Sequence, residues 1–144
     1  MKKIITTTLL FGIAIFSNGL FAQKLSNEKM KVFQTDKIED IKKVFTKEDF
    51  LTCFDIKGVS YNMLSLSARY ERVNLINYLL ANNISVNKTC SYTTPLMYAA
   101  MYGYTDIVKL FLKNGAKKET KDNNGKTAKD LALENNHPET AALL

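Results

Sequence analysis

The 144-residue chain carries few side chains suited to nucleophilic or metal chemistry. His137 is its only histidine, and Cys53 and Cys90 are its only cysteines. Nucleophilic catalysis of the Ser–His–Asp or Cys–His kind needs a histidine base, and a structural zinc site needs closely spaced ligand pairs. We expect His137, which follows Asn136, to be a turn or helix-capping residue and not a catalytic one. The sequence therefore predicts no catalytic nucleophile, no metal site and no cofactor.

Adjacent carboxylates offer the remaining acid–base chemistry, at Glu39–Asp40 and Glu48–Asp49. Two carboxylates that flank a bond support glycosidase-type hydrolysis. Adjacent residues of a helix point to different sides, so we expect both pairs on a solvated helix surface. A hydrolase that uses Asp122 or Glu134 is an alternative. Gly125 follows a run of Asp and Asn, which predicts a turn between repeats rather than a phosphate-binding loop.

The composition favours one small folded domain. A hydrophobic content of 46% with 6 Gly and 2 Pro argues against a disordered or collagen-like chain. The length is too short for a two-domain dinucleotide enzyme, and a mean hydropathy of −0.15 is too low for a polytopic membrane protein. The formal charge of +6 is mostly lysine, spread from Lys24 to Lys129 in the part expected to fold. Because nucleic-acid binding favours clustered Arg and Lys, we expect no nucleic-acid partner.

The first 22 residues have the three parts of a secretory signal peptide. Basic Met1–Lys3 precedes an apolar run, Ile4–Phe16, and Leu20–Ala22 offers a small residue at the cleavage position. The apolar run is shorter than the roughly 18–20 residues that span a bilayer, so an uncleaved anchor is the weaker alternative. We expect cleavage after Ala22, no stable membrane anchor afterwards, and a periplasmic or secreted protein.

Internal repetition predicts the fold. Two blocks, Thr94–Ala100 and Thr127–Ala132, begin 33 residues apart. The first block (TPLMYAA) is followed by Gly103, by the apolar segment Asp106–Leu112 and by Asn-Gly-Ala at residues 114–116. This pattern strongly resembles the ankyrin repeat. Met97 stands where the family usually has His, which removes a usual hydrogen-bonding partner and puts local stability in question.

Weaker copies of the pattern lie upstream. Asn62–Ala68 and Leu75–Leu80 match the two helices of a second repeat, and Glu28–Gln34 with Ile38–Phe45 match a divergent first one. The resemblance implies an all-α ankyrin-repeat solenoid of about four helix–turn–helix repeats with short β-turn or hairpin connections. The approximate repeats are 24–55, 56–88, 89–121 and 122–144, within a domain of residues 23–144.

Helix chemistry agrees with that arrangement. The Asp106–Leu112 segment is apolar on most sides, so it must be buried between neighbours. Gly103 suits the left-handed position after a helix, and Pro95 suits a first helical turn. No repeat buries its apolar face alone, so stacking supplies the core. Leu143–Leu144 is predicted to lie inside the second helix of the last repeat, whose final turn should fray.

The resemblance also implies a concave binding face built from turn tips and first helices. Its tyrosines, methionine and arginine have the composition of an interface core. The residues carried over to this face are Tyr61, Arg69, Tyr70, Ser91, Tyr92, Thr93, Met101, Tyr102, Asn123, Asn124, Lys126, Glu134 and Asn135. We expect a non-enzymatic, monomeric protein of the bacterial periplasm that binds another protein through this groove. The alternatives are an envelope-stress or toxin-neutralising accessory protein, the hydrolase above, and a membrane-surface protein.

The two cysteines leave a choice open. An oxidising compartment would let a disulfide persist. Its Cα atoms would have to lie about 4.4–6.8 Å apart, whereas packed neighbouring helices lie about 8–10 Å apart. Cys53 and Cys90 fall near corresponding places of different repeats. The sequence therefore favours two free thiols over a disulfide.

Overall fold

The computed structural model describes residues 23–144, so the predicted signal peptide lies outside the described residues. Within them the chain forms nine helices and three short strands. In chain order these are β1 (Gln23–Lys24), α1 (Asn27–Thr35), α2 (Ile38–Val44), α3 (Lys47–Leu51), β2 (Cys53–Ile56), β3 (Val59–Asn62), α4 (Met63–Arg69), α5 (Val73–Ala81), α6 (Pro95–Met101), α7 (Thr105–Lys113), α8 (Ala128–Glu134) and α9 (Pro138–Ala141). No helix of residues 23–144 has the length and apolar character to cross a membrane.

Three consecutive helix pairs form the body of the fold. The pairs are α4 with α5, α6 with α7, and α8 with α9, and the first helices pack side by side in the order α4, α6, α8. Asn62, Thr94 and Thr127 precede these first helices, and each side chain accepts the backbone N–H three residues later. Such N-caps satisfy donors that the first helical turn leaves free. The predicted helix–turn–helix repeats are confirmed.

A single core runs through the stack. Ala99, Ala100 and Ala132 are fully buried, so the first helices approach closely. The second helices contribute larger side chains, among them the fully buried Leu79 and Phe111. The close packing of small residues against large ones joins all the pairs into one unit, as expected for a repeat fold.

Met97 compensates in part for the missing histidine. Its side chain is 1% exposed, and its Sδ accepts the Thr94 backbone N–H at 3.3 Å. Thr94 Oγ1 in turn accepts the Met97 N–H at 3.1 Å. A thioether is a weak acceptor, so this reciprocal cap is a weaker version of the usual capping box.

The end of the chain differs from expectation. Helix α9 ends at Ala141, so Leu143 and Leu144 lie beyond it and not inside it as predicted. Their backbone N–H groups bond to the carbonyls of Thr140 and Ala141, three residues back. Such three-residue bonds are the tighter 3₁₀ pattern that is frequent where an α-helix ends.

The N-terminal part contains α1 and α2 where the sequence predicted the two helices of a divergent first repeat, Glu28–Gln34 and Ile38–Phe45. It also contains a short helix and three strands that periodicity did not predict. Helices α1 and α2 pack together and are followed by α3 and by an antiparallel hairpin of β2 and β3, with β1 parallel to β2. The hairpin turns at Lys57 and Gly58, both with positive φ (55° and 80°). Two successive positive φ values suit the tight turn of a two-residue hairpin. The predicted hairpin connection is therefore confirmed at this one boundary.

Asp49 corrects the prediction that Glu48–Asp49 lies on a solvated surface. Its side chain is buried (4% exposed), pairs with Lys29 Nζ at 2.6 Å, and accepts the Thr46 N–H at 2.7 Å. Burial alone would raise the pKa of Asp49, but these hydrogen bonds and the Lys29 charge lower it overall. The carboxylate thus completes the capping box of α3, whose N-cap is Thr46, and links α3 to α1.

The cysteines correct a second prediction, because Cys53 and Cys90 form a disulfide with Cα atoms 5.7 Å apart. The helix-spacing argument failed because neither cysteine lies on a helix. Cys53 begins β2, and Cys90 lies in the loop before α6. Asn62 and Lys88 tie that loop to the hairpin region, since Asn62 Nδ2 donates to the Lys88 carbonyl and Lys88 Nζ donates to the Leu51 carbonyl.

Asp36 joins the first helix pair to the next. It ends α1 with φ 52°, and its two carboxylate oxygens accept the N–H groups of Asn74 (3.0 Å) and Leu75 (2.9 Å) in the first turn of α5. Helix α5 has no side-chain cap from its own Arg72. A residue 38 positions earlier in the chain therefore caps this helix.

We expect Asp36→Ala to lower the free energy of unfolding by about 1–2 kcal/mol, since it removes this cap. Asp36→Asn is the matched control, because Asn keeps one acceptor and tolerates positive φ, and it should cost less than half as much. Urea unfolding of the three proteins measures both values. Equal midpoints for Asp36→Ala and the wild type would refute the capping role.

Candidate protein-binding surface

Four of the predicted site residues meet at one place, the tyrosine–arginine cluster of Tyr61, Arg69, Tyr70 and Tyr102. The guanidinium carbon of Arg69 lies 5.4 Å, 5.7 Å and 5.9 Å from the ring centroids of Tyr61, Tyr70 and Tyr102. All three distances are within cation–π range. The residues meet because Arg69 and Tyr70 end α4, Tyr102 ends α6, and these helices pack side by side.

Tyr61 lies on the core side of the cluster, so it supports Arg69 and is not available for contact with a partner. It was predicted on the exposed face, but only 3% of it is exposed because it projects from β3 into the core. Its hydroxyl accepts a hydrogen bond from Arg69, and its ring lies 5.3 Å from that of Tyr98. Burial, with a smaller effect of Tyr98, raises the pKa of Tyr61 to about 12.

This raised pKa predicts a loss of stability at alkaline pH. Between pH 10 and pH 12 an unfolded tyrosine releases its proton while folded Tyr61 keeps it, so stability falls as pH rises. At pH 11 the loss amounts to about 1 kcal/mol. Tyr61→Phe should unfold with a shallower pH dependence across this range, which urea melts at pH 9 and 11 would measure. Parallel pH dependences in both proteins would contradict the assignment.

Tyr70 and Tyr102 are the exposed rings of the cluster, at 40% and 38%. Each is also held by a second ring. Tyr70 meets Phe33 edge to face at 6.0 Å, and Tyr102 stacks on Tyr104 at 5.9 Å. Rings fixed in this way lose little conformational entropy when a partner covers them. Met101, beside Tyr102, is half-buried against the core.

The remaining predicted residues of the third repeat lie on the loop before α6. Tyr92 is the most exposed aromatic side chain of the described chain, at 71%, and Ser91 and Thr93 are half-buried. Within residues 23–144 the Tyr92 ring makes no aromatic or cation–π contact with the tyrosine–arginine cluster. Tyr92 is thus a separate projection on the turn tip.

The described hydrogen bonds of the predicted fourth-repeat residues stay within that repeat. Lys126 Nζ pairs with Glu134 at 2.7 Å, and Asn135 donates to the Leu131 carbonyl of its own helix. Asn123 and Asn124 are exposed in a turn. This part of the face is polar, and the charges of Lys126 and Glu134 are paired with each other.

The two carboxylates of the hydrolase alternative both have structural partners. Asp122 Oδ1 accepts the N–H groups of Asn124 (2.8 Å) and Lys126 (2.9 Å), which closes the predicted turn at Gly125. Glu134 is the partner of Lys126. In the part of the chain that the structure describes, no group of three His, Cys, Asp or Glu side chains is placed to hold a metal ion.

An open pocket, distinct from the predicted concave face, lies next to the cluster. It has a volume of about 480 Å³ and is lined by Glu71, Val73, Gly103, Tyr104, Asp106, Ile107 and Leu110. Tyr104 joins it to the cluster through its stacked contact with Tyr102. The paired tyrosines around Gly103 in the sequence were the available indication of this surface.

His137 lies at the turn where the sequence predicted it. It precedes α9, and its ring packs against Gly103, so closely that a Cβ on that glycine would collide with the imidazole. Gly103 also has φ +69°, which favours glycine. The imidazole therefore joins the turns of two successive helix pairs.

Residues 64–144 match the family model for ankyrin repeats as three copies. The chain belongs to the ankyrin-repeat family. The three copies contain α4 to α9, while α1, α2 and the hairpin precede the matched region. Ankyrin repeats generally bind other proteins, and the family is typically non-enzymatic. Arg69, Tyr70 and Tyr102 of the tyrosine–arginine cluster lie in the matched region, and Tyr61 precedes it.

Three curated relatives contain similar ankyrin segments. The E3 ubiquitin-protein ligase hecd-1 of Caenorhabditis elegans is 33% identical over 89 residues (60% of this chain), and the E3 ubiquitin-protein ligase Ufd4 of Drosophila melanogaster is 33% identical over 97 residues (65%). The transient receptor potential cation channel subfamily A member 1 homolog of Caenorhabditis elegans is 36% identical over 63 residues (44%). The matches span only 3%, 3% and 5% of the length of those proteins.

Proposed function

We propose that this ankyrin-repeat protein is a non-enzymatic, monomeric module that binds another protein through its concave face in the periplasm or outside the cell. The tyrosine–arginine cluster is the observation that carries the proposal. It places two partly exposed tyrosine rings around one arginine at the ends of neighbouring first helices. Tyrosine and arginine are among the residues that dominate binding energies at protein interfaces.

The surroundings of the cluster support the same function. Tyr70 and Tyr102 rest on Phe33 and Tyr104, so the contact surface exists before a partner arrives. A preformed surface avoids part of the ordering cost of association. The polar residues of the fourth repeat fit the rim of an interface, where solvent remains.

Export is a separate part of the proposal and has its own prediction. We expect the protein recovered from the cell envelope to begin at Gln23, since the first 22 residues have the pattern of a cleaved signal peptide. Intact-mass spectrometry of the envelope and cytoplasmic fractions measures the chain start. Recovery of uncleaved chain from the cytoplasm alone would contradict export.

Affinity capture from a native envelope extract tests the binding function. The wild type and Lys109→Ala serve as bait beside Tyr102→Ala, at matched amounts and after matched melting curves. We expect the same protein in near-stoichiometric amounts with the first two baits and its loss with the third. Saturable turnover of a substrate by the wild type, abolished by changing Asp122 and Glu134, would overturn the proposal.

A further inference from the structure

Arg69 differs from Lys126, the other cation of the proposed surface, because its charge has no acidic partner in the described chain. Lys126 pairs with Glu134, whereas no carboxylate of residues 23–144 forms an ion pair with Arg69. The described contacts of its guanidinium are neutral, namely the Tyr61 hydroxyl and three tyrosine rings. A guanidinium has five N–H donors. It therefore keeps donors and a full positive charge for an external anion.

The position of Arg69 strengthens such binding. The side chain is half-buried, and the rings of Tyr70 and Tyr102 displace water from its sides. A charge-assisted hydrogen bond is stronger where fewer waters compete. Because Tyr61 and the rings already hold the guanidinium, little side-chain entropy remains to be lost.

Resting on the proposed function, we infer that the concave face recognises a protein segment in which an Asp or Glu carboxylate binds Arg69 beside an apolar residue. The planar fork of a guanidinium matches a carboxylate bidentately. The exposed ring faces of Tyr70 and Tyr102 provide the surface for the adjacent apolar side chain. A partner with this pair of residues satisfies both the charge and the aromatic surface.

A carboxylate fits this site better than a phosphate. A phosphate group carries nearly two charges and is usually held by clustered arginines. The cluster contains one arginine, and the acidic Glu71 follows Tyr70 directly and acts electrostatically on Tyr104. Arg72 also acts electrostatically on Tyr104, but among residues 23–144 it makes no cation–π contact with the rings of the cluster, and its Nη1 donates to the Gln34 carbonyl at 2.9 Å. A singly charged anion therefore matches the local charge.

The two arginines of the chain allow a direct test by NMR. Arginine labelled with ¹⁵N gives two Nε signals, one from Arg69 and one from Arg72 as an internal control. The probes are three capped dipeptides, acetyl-Glu-Leu-amide, its Gln isostere and its phosphoserine analogue. We expect the Glu probe to shift the Arg69 signal saturably with a Kd of about 10 mM or lower, and the Gln probe to bind about tenfold more weakly.

Other results of this titration overturn the inference. Equal effects of the Glu and Gln probes, or a shift confined to Arg72, would exclude carboxylate recognition by Arg69. Binding of the phosphoserine probe about tenfold tighter than that of the Glu probe would replace the carboxylate by a phosphate. These comparisons use the wild-type protein, so they do not depend on the folding of a variant.

Arginine variants separate this inference from the proposed function. Arg69→Lys keeps the charge but loses the fork, so it should weaken binding of the Glu probe, and Arg69→Gln should abolish it. In affinity capture at a temperature where melting curves show every bait to be folded, Arg69→Gln should lose the partner as Tyr102→Ala does. Retention by Arg69→Gln and loss by Tyr102→Ala would overturn the carboxylate inference alone. If both variants retain the partner, binding through the tyrosine–arginine cluster is overturned as well.

Discussion

Replacing Cys53 by serine is expected to lower the free energy of unfolding by about 4 kcal/mol. The disulfide joins residues 37 positions apart, and a closed loop of that length removes roughly this much chain entropy from the unfolded state. The loop contains all of α4 and α5, so the bond ties the hairpin to the start of the next helix pair. Few single changes on this chain should cost more.

Thermal melting without reductant measures this effect. Cys90→Ser and the double serine variant are the matched controls, and all three should melt at one reduced temperature because each removes the same bond. Thiol titration of the unreduced, denatured wild type should find no reactive thiol. Two reactive thiols in the wild type would contradict the disulfide. So would serine variants that melt at the same temperature as the wild type.

The second large effect concerns affinity. Once a partner is available, Tyr102→Ala or Tyr70→Ala should weaken binding by about 2 kcal/mol or more, which corresponds to roughly 30-fold in Kd. Both rings are partly exposed and are held by neighbouring rings, Tyr104 and Phe33. Truncation to alanine removes the contact between the ring and the partner. It also removes one of the rings that pack on the Arg69 guanidinium.

Lys109→Ala is the matched surface control for these variants. Lys109 lies on α7, and its only described ion pair is an exposed contact with Asp106 at 3.6 Å. It should change the affinity by less than about 0.5 kcal/mol. Titration calorimetry measures all three affinities after circular dichroism has shown equal helical content. Equal loss from Lys109→Ala and none from the tyrosine variants would place the interface on the second helices.

The helical repeats could be predicted because local rules agree there. Thr94–Pro95 begins a helix, Gly103 ends one, and Asp106–Leu112 is apolar at helical spacing. The same letters therefore indicate the cap, the turn and the buried side. The family's pattern extends this agreement over residues 64–144, where each helix pair repeats its neighbour's packing.

The features that sequence missed depend on contacts between distant residues. The charge of Asp49 can be buried because Lys29, on another helix, forms an ion pair with it. Periodicity gives no indication of such a partner. The Cys53–Cys90 bond depends on a strand and a loop, which bring the cysteines closer than helix spacing allows. Helix α3 was also missed, because its five residues are too few to show a helical spacing of apolar positions.

The candidate surface was predicted in part. Arg69, Tyr70 and Tyr102 follow from their places at the ends of first helices, which the repeat pattern defines. Tyr61 was misplaced because β3 turns it into the core. The part of Tyr104 in the surface was missed because its position follows from ring stacking, which repeat spacing does not encode.

Site-specific photo-crosslinking tests the central claim most directly. A benzophenone side chain replaces Tyr102 in one protein and Lys109 in another, and both are irradiated in living cells that express them at native levels. We predict one discrete adduct with a second protein from position 102 and none from position 109. An adduct from position 109 alone, or none from 102 while a partner still co-purifies, would contradict binding through the tyrosine–arginine cluster.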